Sequence, residues 1–255
     1  MSSLGKQTRL KRIFSHPSGR ILSVAIDHLV NYSGGMPDGL KYLERSIDKI
    51  VEGNPNAITM LKGTAMRYMP KYAGKVPYII QQIGGRPDDK YFFPTCSVEE
   101  VIALGADAIA VAVILKNKTE SVHLKHLSDV ITESERYGLP VIAHIYPVGA
   151  EGEGGIISNL AEDVAYAARI GIELGVDVVK IPYTGDINSF KDIVSLSPVP
   201  IVAAGGPKCN NLEESVKMIE DIVQTGGAGA TVGRNVWGYP DIPMVIGKLK
   251  KAMFD

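Results

Sequence analysis

Gly175-Val176-Asp177-Val178-Val179-Lys180-Ile181-Pro182-Tyr183-Thr184-Gly185 places one lysine inside an apolar, β-branched run. A run of this kind, entered from a helical segment through Gly175, reads as a parallel strand covered by helices. Burying an ammonium there without a partner costs several kcal/mol (~2–7 even for an uncharged polar group), and such a group responds by giving up its proton. A desolvated amine is what an imine-forming enzyme needs to attack a ketone. Pro182 and Gly185 end the strand just beyond Lys180, and in a β/α barrel that end is the reactive face. The plainer possibility is a lysine that snorkels out of a strand end or pairs with a carboxylate such as Asp27.

Working outward, the same grammar recurs. Strands read over 20–28, 57–62, 76–81, 108–113, 141–146, around Lys180, 199–204 and 229–232, each closed by glycine, proline or polar residues. Helical spacing fills the intervals, with a Ser97–Glu100 capping box, Asn159–Glu162 and Asn211–Glu214 as further helix starts, and Gly138 as a helix stop. Gly105-Ala106-Asp107, Gly175-Val176-Asp177 and Gly227-Ala228-Gly229 repeat one helix-to-strand junction. Eight strands alternating with helices predict an α/β fold, a single (β/α)8 TIM barrel spanning residues 1–255 with a short basic N-terminal extension.

Composition narrows the function. With 27 basic and 28 acidic residues the net charge is −1, which gives no global field for nucleic acid or a membrane surface and leaves a small molecule as the expected partner. Cys96 and Cys209 have neither disulfide-framework nor zinc-site spacing, so no metal is expected and a reducing, cytoplasmic setting fits. The first fourteen residues lack the apolar core of a signal peptide, and the sequence has no run long enough for a transmembrane helix.

The expected reactive face collects Asp27 and His28, Lys62, His144 and Tyr146, Lys180 and Tyr183, Gly205 to Lys208, and Gly233 to Asn235. Gly205-Gly206 after strand 7 and Gly233-Arg234 after strand 8 occupy the position of the barrel phosphate site, where backbone amides hold an anion and Arg234 adds charge. Lys208 and His28 join this binding set. Lys62, if inward, would help to keep Lys180 neutral by repulsion. Tyr146, either a core tyrosine or a general acid/base, is expected in the layer of Lys180 with His144 one layer deeper. Glu151 and Glu153 lie in a glycine-rich loop.

Ala25-Ile26-Asp27-His28, Leu61-Lys62-Gly63, Tyr146-Pro147, Val179-Lys180, Tyr183-Thr184-Gly185, Ala204-Gly205-Gly206-Pro207-Lys208 and Val232-Gly233-Arg234-Asn235 resemble the class I fructose-bisphosphate aldolases of the archaeal type. That group also includes 2-amino-3,7-dideoxyheptulosonate synthases and an autoinducer-2-processing thiolase. The resemblance implies a metal-independent lyase with Lys180 as Schiff-base lysine, Tyr146 as acid/base and Asp27 as an active-site carboxylate. It also implies homo-oligomers, and a covalent imine to Lys180 with no separate cofactor. His144 and Val148 stand where the aldolase branch carries tryptophan and arginine, and the loop after Asp27-His28 lacks its Glu-His pair. The expected activity is cleavage of a phosphorylated ketose, fructose 1,6-bisphosphate first, with a transaldolase-type synthase close behind. A phosphosugar isomerase using Asp27 without an imine, and a non-catalytic sugar-phosphate sensor, are the rival readings.

Overall fold

The computed structural model describes residues 3–31, 35–84, 92–149 and 157–255. Eight parallel strands close into a barrel: β1 (Ile21–Ala25), β2 (Ala57–Met60), β3 (Tyr78–Gln81), β4 (Ala108–Leu115), β5 (Val141–Pro147), β6 (Val178–Pro182), β7 (Ile201–Ala204) and β8 (Gly229–Val232). Each strand pairs with its sequence neighbours, and β8 closes on β1 through Ile21–Gly229 and Ser23–Thr231. The barrel predicted from the strand and helix grammar is therefore present. Glu151, Glu153 and the glycines of their loop lie outside the described residues.

Period two divides every strand between two cores. Val179, Ile181, Val111, Val113 and Ile145 pack outward against the helices. Ile21, Ala57, Ile79, Ala108, Ile142, Val178 and Val202 fill the lower barrel interior. Above them the interior turns polar, with Ser23, Thr59, Gln81, His144, Lys180 and Thr231 all buried. This polar upper half faces the strands' C-terminal ends, where a (β/α)8 barrel places its chemistry.

The basic N-terminus is a structural part of the barrel rather than an appendage. Leu4–Ile13 forms a helix capped by Ser3, and Leu10, Ile13 and Phe14 close the apolar floor. Its cations are matched to the junctions below: Lys6 pairs with Glu135 and with Asp177 at 3.2 Å, Arg9 donates to the Gly138 carbonyl at 3.1 Å, and Arg12 pairs with Asp107 at 3.2 Å. Burial alone would lower the Lys6 pKa, but the two carboxylates outweigh it and raise it. The repeated Gly-x-Asp junction supplies two of these acceptors, Asp107 and Asp177.

Other local expectations divide. Ser97 and Glu100 make both bonds of the capping box, Asn211 accepts from the Glu214 amide at 2.8 Å, and Gly138 ends the Glu120–Tyr137 helix at φ 60°. Asn159 caps nothing: the next helix is Ala161–Leu174, with Leu160 at its N-cap and no side-chain cap bond. Strand β2 stops at Met60, and Lys62, expected as the last strand residue, instead opens a short helix, Lys62–Tyr68.

Candidate active site

The inward faces of β1, β5 and β6 build the centre. Ser23, Ala25 and then Asp27 continue one face of β1, Ile142, His144 and Tyr146 one face of β5, and Val178 and Lys180 one face of β6. Lys180 is 6% exposed and Asp27 8%. The Lys180 ammonium nitrogen lies 6.0 Å from the centroid of the Tyr146 ring.

The pairing corrects one expectation about depth. His144, not Tyr146, is the register partner of Lys180, so lysine and histidine are rooted side by side and Tyr146 stands two residues higher. The reason is the barrel's stagger, which a single strand's periodicity cannot display. The four-carbon lysine stem makes up the difference by reaching toward the tyrosine ring.

Electrostatics tie the cluster together. Burial lowers the His28 pKa to about 4; Asp27 opposes that shift, while the charges of Lys180 and Arg234 add to it. Its Nδ1 is 3.7 Å from the Asp27 carboxylate, and its ring meets Trp237 edge-on with centroids 5.1 Å apart. Burial likewise holds His144 well below the usual imidazole range, helped by the Lys180 charge. Burial and the Asp27 charge push the Tyr146 phenol well up, against the pull of Arg234. Both imidazoles are therefore neutral and the phenol is protonated at neutral pH.

The loops after β7 and β8 are built as one unit. Gly205 fits where a side chain cannot, because a Cβ there would lie 2.8 Å from Val232 Cγ1 and 2.9 Å from Val232 Cα. Gly233 makes room for His28, whose Cε1 would be 2.3 Å from a Cβ at that position. Gly206 takes φ +62°, and its carbonyl accepts from Arg234 Nη2 at 3.0 Å. Asn235, fully buried, holds the two loops together: Nδ2 donates to the Gly205 and Pro207 carbonyls at 2.8 and 3.0 Å, and Oδ1 accepts from the Cys209 amide at 2.8 Å and Ser215 Oγ at 3.2 Å. Trp237 Nε1 donates to the Ala25 carbonyl at 3.0 Å, locking this unit to the end of β1.

Thus Asp27, His28, Tyr146, Lys180 and Arg234 are brought together electrostatically, and Gly205, Gly206 and Gly233 form the adjoining loops. Three residues are turned elsewhere. Lys62 donates to Glu100 Oε1 at 2.7 Å, which raises its pKa, so its charge is met by a carboxylate rather than set against Lys180. Lys208 donates to the Gly238 carbonyl at 2.7 Å and lies 4.7 Å over the Tyr239 ring. Tyr183 packs on Phe190, in the helix layer outside the barrel. Val148, where the resembling aldolases carry arginine, is 1% exposed and bridges to Ile157.

Sequence reasoning passed over Asn235 as a loop-binding residue and Gln81, which ends the inward face of β3 at 2% exposure. A signal for Gln81 was available: it is a polar residue at the C-terminal end of an apolar strand, as Lys180 is. Among the described residues no group of three or more His, Cys, Asp or Glu side chains is disposed to hold a metal ion, and no helix is long and apolar enough to cross a membrane.

A closed (β/α)8 barrel with a buried lysine, a tyrosine and a carboxylate at its C-terminal mouth defines a class of barrel enzymes built for carbonyl chemistry. Residues 21–238 match the DeoC/LacD family of aldolases, and the chain belongs to that family. It is 34% identical over 251 residues to 2-amino-3,7-dideoxy-D-threo-hept-6-ulosonate synthase 1 of Archaeoglobus fulgidus, covering 96% of this chain and 89% of that protein. It is 35% identical over 194 residues to the class 1 fructose-bisphosphate aldolase of Thermoproteus tenax, covering 73% and 70%. Among solved structures, an archaeal fructose-1,6-bisphosphate aldolase whose catalytic lysine is covalently bound to the substrate's carbinolamine intermediate superimposes with a TM-score of 0.87 at 28% identity, covering 98% of this chain and all of that one.

Proposed function

We propose that this protein is a class I aldolase that forms a Schiff base through Lys180 with a phosphorylated ketose and makes or breaks the adjoining carbon–carbon bond. The observation that carries the reading is the Lys180 amine, buried beside Tyr146 in the barrel mouth next to the glycine loops. The archaeal aldolase bearing a lysine-bound carbinolamine supports it. Fructose 1,6-bisphosphate is the first substrate to test, with its C1 phosphate on the loops after β7 and β8 and Arg234 beside it.

In this mechanism Lys180 gives up its proton to solvent as the ketose enters, and the free amine attacks the C2 carbonyl to give a carbinolamine. Tyr146, protonated at rest, gives its proton to the departing hydroxyl, which leaves as water, and the nitrogen becomes an iminium. The new cation near the ring favours the phenolate just formed. That phenolate takes the proton of the C4 hydroxyl as the C3–C4 electron pair moves into the iminium, releasing an aldehyde and leaving an enamine. Protonation of the enamine and hydrolysis return the amine. Asp27 orients Lys180 and carries negative charge beside the cationic intermediates. The iminium itself is the electrophile, so these steps call on no metal.

A transaldol reading, in which the enamine meets a second aldehyde instead of a proton, is favoured by one observation. The synthase relative aligns over nearly the whole chain, whereas the aldolase relative aligns over about three quarters. Both readings share the imine. Borohydride treatment with dihydroxyacetone phosphate, then with fructose 1,6-bisphosphate, followed by peptide mass spectrometry, is expected to show a reduced adduct on Lys180. Binding of either ligand without an adduct refutes the imine and favours the isomerase or the sensor. Aldehyde screening with the trapped donor separates cleavage from transfer.

A further inference from the structure

The polar floor of the mouth contains a carboxamide that the proposed chemistry does not use. Ala25, Gln81, His144 and Ala204 are the inward residues that β1, β3, β5 and β7 contribute below the rim carrying Asp27 and Tyr146. Two of them are alanines. Ala204, and Ala112 on β4, are partly exposed although they face inward, so the mouth is open down to this depth. Gln81 therefore lies at the edge of an open floor, with its own side chain 2% exposed. Its Oε1 is buried and has no hydrogen-bond donor among the described residues. The next residue, Gln82, points the other way and is fully engaged, with Nε2 donating to the Cys96 carbonyl at 2.8 Å and Oε1 2.9 Å from His126 Nε2. A buried amide oxygen without a donor is unfavourable, and a native fold keeps few of them.

The barrel order fixes which part of a substrate meets it. In a closed ring of eight strands β3 stands opposite β7. A ketose phosphate with its phosphate over the β7 and β8 loops and its carbonyl carbon at Lys180 on β6 runs its remaining carbons toward the β3–β4 wall. Those carbons carry hydroxyl donors and are the atoms that leave as the aldehyde. We propose that Gln81 is a specificity-determining residue whose carboxamide accepts a hydroxyl of the aldehyde half of the substrate. This assignment rests on the imine reading of Lys180 and deepens it.

The test compares the wild type with Gln81→Met, which keeps the volume, and Gln81→Leu. Dihydroxyacetone phosphate supplies the donor half, read by borohydride trapping on Lys180. Glyceraldehyde and propionaldehyde, an acceptor with the hydroxyls and one without, are then compared by kcat/KM for carbon–carbon bond formation. Trapping is expected within about twofold of wild type in both variants, kcat/KM for glyceraldehyde about 10- to 100-fold lower, and kcat/KM for propionaldehyde unchanged, so that the acceptor ratio collapses. Equal losses with both acceptors, or an unchanged ratio, overturn the assignment of Gln81 while leaving the imine intact. Failure of the wild type to trap the donor overturns the imine reading and this assignment with it.

Discussion

Acid should weaken this fold through His28, and the amount can be worked out. An unfolded histidine titrates near 6.5, whereas His28 in the folded protein titrates at about 4, first because it is buried and then because Lys180 and Arg234 are near. Between those values the unfolded chain takes up a proton that the folded chain refuses. The stability due to neutral His28 is thus fully present above 6.5, is lost progressively as the pH falls, and stops changing below about 4. One pKa unit is worth about 1.4 kcal/mol, so lowering the pH from 7.5 to 4.5 should cost about 2.5 kcal/mol through this residue alone. Urea unfolding of wild type and His28→Gln at the two pH values isolates the difference, since His123, His126 and His144 remain in both proteins. The wild type should lose about 2.5 kcal/mol more than the variant on acidification. Parallel losses would refute the reasoning, as would an NMR titration midpoint for His28 near 6.5.

Tyr146→Phe should still yield the borohydride adduct on Lys180, more slowly, while carbon–carbon bond cleavage falls by about 100-fold or more in kcat; an unchanged kcat removes Tyr146 from the proton transfers. Lys6→Ala strips Glu135 and Asp177 of their buried cation under the barrel floor, and chemical denaturation should show a loss of about 2 kcal/mol with little change in KM. Asn235→Ala removes three hydrogen bonds between the loops after β7 and β8 and a fourth to Ser215, and should raise the KM for phosphorylated ligands more than it lowers kcat. Equal effects on the two constants would mean that the loops do not bind the phosphate.

The barrel was legible because its strands are apolar runs punctuated by glycine and proline, so composition and boundary agree at Gly175–Gly185 and at the other strand ends. The floor was not. Lys6, Arg9 and Arg12 look like solvated charges in sequence, and only their meeting with Glu135, Asp177, the Gly138 carbonyl and Asp107 docks a basic tail as a helix on the barrel floor. The same limit applies at Lys62 and Lys208: a lysine just past a strand end can face either way, and Glu100 and the Gly238 carbonyl decide it from elsewhere in the chain. The alternation that points Lys180, Tyr146 and Asp27 inward is local and was readable, whereas the relative depth of Lys180 and Tyr146 depends on inter-strand stagger and was not.

That depth has a consequence of its own. Lys180 is rooted beside His144 and its nitrogen lies 6.0 Å from the centre of the Tyr146 ring, while His28 and His144 are both held neutral by burial, with the lysine's own charge adding to the effect. The negative and ionisable partners, Asp27 and Tyr146, stand at the rim, where an iminium would form. A site arranged this way carries its cation on the lysine nitrogen and keeps imidazolium from competing with it. Lys180→Met should therefore raise the pH at which His28 and His144 take up protons, because a charge that disfavours imidazolium has gone. Nε2 and Cε1 chemical shifts followed from pH 7 downward give the readout. A His28 midpoint that stays near 4 in the variant would mean that burial, Asp27 and Arg234 set it without the lysine, and that the lysine nitrogen does not approach the ring.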